Sequence, residues 1–110
     1  MTPAQWTETI RQVESGGHAN SIGDGGRAFS SYQVHPDWLW QWATTLSIEP
    51  KLNERWDDWI GRVVLEFAQF HSAWDPLELA MYFHLGHRSH PDKADWDKAY
   101  ADRFIAKAVA

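Results

Sequence analysis

Two carboxylic acids, Glu14 and Asp24, offer the most specific chemistry in this chain. Glu14 closes a segment with apolar residues at helical spacing and is followed at once by Ser15, Gly16 and Gly17. In the last turn of a helix the negative end of the macrodipole disfavours a further negative charge, and an apolar setting acts in the same direction, so both raise a carboxyl pKa. A Glu raised toward ~6 stays protonated near neutral pH and can donate its proton to a leaving oxygen. Trp6, Ile10 and Tyr32 are the candidate apolar walls. Asp24 precedes Gly25 on a loop able to fold back over the end of that helix. Each acid also has a plainer reading: Glu14 as a solvated residue at a helix end, and Asp24-Gly25 as a turn pair chosen for its backbone. Acting together they suit glycosidic cleavage, at ~5 to 5.5 Å separation for a retaining reaction and ~6.5 to 9.5 Å for an inverting one.

Two other groupings carry possible chemistry. His84, His87 and His90 recur at three-residue spacing, as imidazoles sharing a zinc ion can. Gly86 and Pro91 break the helix that would align them and no cysteine completes the set, so a role in holding substrate or a helix end is favoured and no metal is expected. Eight Trp in 110 residues exceed what a core needs. Trp38, Trp40 and Trp42 point in different directions around one helix, and Trp40 is the one expected to face outward, where a flat ring can stack on a sugar. Trp56, Trp59 and Trp96 read as core.

The elements that must position these groups are mainly helical. Thr2 with Gln5 forms a capping box ahead of Trp6, Ile10 and Val13, giving a first helix to about Ser15. Residues 19–34 hold whatever β-structure the chain has, with a hairpin-type turn at Asp24-Gly25. A second helix starts at Pro36. The longest helix is expected from an Asn53 cap to about His71 and forms the central pillar. Asp75-Pro76-Leu77-Glu78 opens a fourth helix, ended by Gly86, and residues 95–109 form a fifth. About five helices around a central one, in a single domain spanning residues 1–110, is the expected fold.

Composition narrows the partners. The net charge of -5 and the lack of a basic stripe argue against nucleic acid. There is no cysteine, hence no disulfide framework and no thiolate nucleophile. No apolar run approaches membrane-spanning length, so membrane insertion is not expected. Met1 to Trp6 has neither a basic nor an apolar leader pattern, so a substrate outside the cytoplasm implies delivery by a partner, a pore or a larger particle.

The runs Val13-Glu14-Ser15-Gly16-Gly17, Ile22-Gly23-Asp24-Gly25-Gly26-Arg27-Ala28 and Ser30-Ser31-Tyr32-Gln33-Val34 resemble the lysozyme-like superfamily, particularly invertebrate-type lysozymes and soluble lytic transglycosylases of a bacterial or phage branch. The resemblance covers residues 10–40 well and 80–104 loosely. It implies an α+β lysozyme-like fold in which Glu14 is the catalytic acid, Asp24 the nucleophile or charge stabiliser, and Gln33 a cleft residue. Phe83-His84-Leu85-Gly86 stands where the family has a Tyr-Asn-x-Gly motif, which leaves Tyr82 to supply a hydroxyl and His84 a polar contact. Ser30 replaces the family's Gly in Gly-x-x-Gln.

The activity so implied is cleavage of the β-1,4 bond between N-acetylmuramic acid and N-acetylglucosamine in peptidoglycan, at the cell wall or in the periplasm, without a cofactor. Ser15, Tyr32, Gln33, Trp40, Tyr82 and His84 are the expected substrate contacts, with Arg27 and Arg88 available to peptide-stem carboxylates. Two alternatives remain open. In a lytic transglycosylase Glu14 acts alone and the muramic 6-hydroxyl attacks to leave a 1,6-anhydro end. In a wall-binding or structural domain the fold persists without the reaction.

Overall fold

The structure is a computed structural model that describes residues 1–19 and 21–108. Five helices and one short antiparallel hairpin make up the described residues, so the domain is mainly α. Helix α1 (Pro3–Ser15) begins with the reciprocal capping box: Gln5 N donates to Thr2 Oγ1 at 3.1 Å and Thr2 N to Gln5 Oε1 at 2.8 Å. It ends at Gly16, whose φ of 67° suits a residue without a Cβ. Strands β1 (Ile22–Gly23) and β2 (Ala28–Phe29) pair Ile22 with Phe29 and Gly23 with Ala28 around a turn at Asp24–Gly26. Asn20, within the range expected to hold β-structure, lies outside the described residues, as does Val109, the last residue of the expected fifth helix.

Helix α2 (Pro36–Thr45) is followed by the longest helix, α3 (Trp56–Phe70). Along α3, Trp59, Ile60, Val63, Val64, Phe67 and Ala68 recur at helical spacing and are all buried. That face packs against α1 and α2. Helix α4 (Pro76–Leu85) has the expected Asp75 cap, with Oδ2 accepting from Leu77 N and Glu78 N, and ends at a left-handed Gly86. Helix α5 (Lys98–Lys107) packs against α1 and α4. No described helix is long and apolar enough to cross a membrane.

Aromatic rings build the centre of the core. Phe67 lies within 4.8 to 6.2 Å of the rings of Trp6, Trp38, Trp42, Tyr82 and Phe83. Two buried indoles keep partners for their N–H groups: Trp6 donates to Pro76 O and Trp59 to Ile48 O, both at 3.0 Å.

Four expectations need correction. Asn53 does not cap α3: it sits at φ 63° in a turn where Glu54 N bonds Lys51 O, and Arg55 precedes the helix without a side-chain cap. The last helix starts at Lys98 rather than Asp95, because Asp97 is the cap and accepts from Tyr100 N at 3.1 Å. Trp56, expected in the core, is 63% exposed, because it opens α3 ahead of the buried face. Trp96 is half-buried at the core's margin.

Candidate active site

A groove of about 520 Å³ is lined by the hairpin, the start of α2 and the C-terminal ends of α1 and α4. It contains Glu14, Asp24, Gln33, His35 and His84, set among Ala28, Val34, Trp38, Phe83 and Leu85. Its size is that of a small-ligand site, and polar and apolar side chains share its lining.

Glu14 is half-buried, and its Oε2 is sealed from solvent with no hydrogen-bond partner among the described residues. Burial pushes its pKa from the ordinary 4.5 up to about 7, against the opposing pull of the Arg103 guanidinium. The carboxyl is therefore partly protonated at neutral pH, the state a general acid needs. The apolar groups in the groove come from the hairpin and from α2 and α4, not from Trp6 or Ile10, which point into the core.

Asp24 joins this groove from the hairpin turn, at φ 53° and followed by left-handed Gly25 and Gly26. Its Oδ2 lies 2.9 Å from Nε2 of His35, the residue preceding α2. Both side chains are about half exposed.

The hairpin is held against α1 and α3 by a polar network. Ser31, fully buried, donates from its backbone N to Asp57 Oδ1 at 2.7 Å and from its hydroxyl to Oδ2 at 2.8 Å. Ser15 Oγ donates to Ser31 O at 2.7 Å and accepts from Gly17 N and His18 N. Gln33 Nε2 ties Ser21 O to Ser30 O at 3.0 and 2.9 Å. A Cβ at Gly23 would collide with Gln33 Oε1, so a side chain there would displace the Gln33 amide. Ser30 adopts φ 76°, a conformation that favours glycine, and the Phe29–Val34 backbone pair closes the turn around it.

Comparison with protein-family models, curated proteins and solved structures gives no match to this chain. The assignment of the groove therefore rests on its own geometry.

The structure brings Glu14, Asp24, Gln33 and His84 together and leaves four expected contacts outside. Ser15 spends its hydroxyl on the network just described. Tyr32 turns toward α3, where its hydroxyl lies 2.9 Å from where a Cβ on Gly61 would be; burial and the nearby Asp57 push its pKa up to about 12. Trp40 is exposed, as expected of it, but packs beside Trp59 rather than in the groove. Tyr82 stacks on Trp74 with centroids 5.2 Å apart. His84 does line the groove, with Nε2 3.0 Å from Asp97 Oδ2 and its ring 3.9 Å from that of Tyr100. No three described His, Cys, Asp or Glu side chains converge to hold a metal ion; His87 Nδ1 is 2.9 Å from Arg88 O.

Three residues were missed. Trp38 packs against Phe67 and Phe83 of the core and also lines the groove, a second role that helical spacing did not show. His35 gave no signal beyond its place before Pro36. Tyr100, on the buried face of α5, has a buried hydroxyl with no partner among the described residues, like Glu14 Oε2, and burial together with the Glu14 charge raises its pKa well above the ordinary value.

Proposed function

We propose that this chain is a muramidase that hydrolyses the β-1,4 bond between N-acetylmuramic acid and N-acetylglucosamine in peptidoglycan. The observation that carries the reading is the Glu14 carboxyl, raised to about 7 by burial in a groove that also holds the Asp24 carboxylate. Glu14 protonates the leaving glycosidic oxygen. Asp24 meets the positive charge that develops at the anomeric carbon, as nucleophile or as charge stabiliser. Trp38, Gln33 and His84 border the same groove. The lysozyme-like resemblance of residues 10–40 supports the same assignment, and the partner is a glycan strand of the cell wall.

The test is digestion of purified peptidoglycan followed by mass spectrometry, with Glu14→Gln as control. Reducing muramic ends from the wild type alone are expected. Anhydro ends would mean intramolecular attack by the muramic 6-hydroxyl, hence a lytic transglycosylase. Wall binding by both proteins without cleavage by either would mean a binding domain.

A further inference from the structure

We infer that Asp24 and His35 act as one unit, a carboxylate–imidazole pair whose ring takes the proton from the attacking water, so that the reaction inverts the anomeric centre. This rests on the muramidase reading of the groove. The pair joins the hairpin turn to the residue before α2. His35 occupies the position before α2, where Ser, Thr, Asp or Asn would satisfy a free backbone N–H. Its ring makes no capping bond. It lies instead with Nε2 at 2.9 Å from Asp24 Oδ2, inside the groove that holds Glu14. Asp24 reaches it from a left-handed backbone position between Gly23 and Gly25.

The arrangement favours a base over a nucleophile. A carboxylate with an imidazole against one oxygen has part of its charge directed at the ring, which weakens it as an attacking group. The carboxylate charge 2.9 Å from Nε2 stabilises the imidazolium that forms when the ring takes a proton from water at Nδ1. Nδ1 has no protein partner among the described residues. Both side chains are about half exposed, so water reaches the pair freely.

In the step so described, the water oxygen bonds to the anomeric carbon as the bond from that carbon to the leaving oxygen breaks. One water proton passes to His35 Nδ1, and the Glu14 proton passes to the leaving oxygen. Solvent then returns a proton from His35 to Glu14. No covalent glycosyl intermediate forms, and the β bond yields an α product.

The test follows cleavage of a soluble β-1,4 peptidoglycan fragment by proton NMR, reading the anomer before it equilibrates. The α-anomer is expected from the wild type. His35→Gln, at an exposed position, should keep the wild-type melting temperature and KM while kcat falls by ~10²- to 10⁴-fold, the usual worth of a general base. Azide needs no base, so it should restore turnover to His35→Gln as the α-glycosyl azide and restore nothing to Glu14→Gln. His35→Gln combined with Asp24→Asn should lose little more than either alone, as groups acting as one unit do. A β-anomer product, or His35→Gln at the wild-type rate, overturns the pair's role and leaves the muramidase reading intact. Failure of the wild type to release any reducing end overturns that reading and this proposal with it.

Discussion

Replacing Glu14 with Gln should separate catalysis from stability, because the burial that makes the carboxyl an acid also makes its charged form costly. Folding raises the pKa from 4.5 to about 7, so the folded state prefers the proton. The stability this gives is complete below 4.5 and is lost as pH rises to about 7 and beyond. At 1.36 kcal/mol per pH unit the loss would reach about 3 kcal/mol, and partial exposure of the side chain reduces it to about 1–3 kcal/mol. Gln is uncharged throughout and close in shape to the protonated acid. The variant should match the wild type in urea unfolding at pH 4 and exceed it by about 1–3 kcal/mol at pH 8, or about 3–10 °C in melting temperature. Trp fluorescence reports the transition, and titration of all other groups cancels in the difference between the two proteins. Wall cleavage should meanwhile fall by ~10²- to 10⁴-fold. A stability difference that stays constant from pH 4 to pH 8 would refute burial as the source of the acid.

Other perturbations test the surroundings of the same carboxyl. Arg103 favours the charged form of Glu14, so Arg103→Met should raise its pKa further and move the alkaline limb of the kcat/KM profile to higher pH; a limb that moves down or stays put contradicts this. Gly23 has φ -137°, which any residue adopts, so the cost of Gly23→Ala, about 1–3 kcal/mol by chemical denaturation, should come from displacing Gln33 and should shrink in a Gln33→Ala background. Asp57→Ala leaves the buried Ser31 N–H and hydroxyl without their acceptor and should cost about 2–3 kcal/mol, with Asp57→Asn costing less because one acceptor oxygen remains.

What the sequence revealed was local. The Thr2 capping box, the Asp75 cap with Pro76, the left-handed glycines at 16 and 86, and the Asp24-Gly25 turn each consist of neighbours in the chain, and each lies where its pattern predicted. The misread features have more than one cause. Asn53 has the chemistry of a cap, but the Lys51–Glu54 turn holds it in a left-handed conformation before the helix begins. Tyr32 was expected at a sugar because of its place in a motif, and its direction is set by Gly61, which leaves room on α3 for a phenol. His35 could be paired with Asp24 only once the hairpin was seen to fold against the start of α2. His84 was legible through its motif although tertiary packing brings it to the groove, whereas the roles of His35 and Trp38 there showed only in the folded chain.

The two positions where the resemblance led to an expected glycine and tyrosine, Ser30 and Phe83, bear on each other. Ser30 takes the place of a glycine and still holds φ 76°, because the Phe29–Val34 pair and the bonds from Ser31 to Asp57 fix the turn on both sides; the turn's geometry is enforced from outside rather than by residue choice. Phe83, in place of a tyrosine, adds apolar surface to the groove where a phenol would have brought a hydrogen-bonding group. The buried hydroxyl that feels the charge of Glu14 belongs instead to Tyr100 on α5, and His84 is stacked on that ring and paired with Asp97. Polar partners withdrawn from one side of Glu14 leave burial as the dominant influence on its proton. An acid tuned in this way depends on packing among α1, α4 and α5, so substitutions that loosen the Phe83 or Tyr100 contacts should lower the Glu14 pKa by admitting water, even where they touch no substrate.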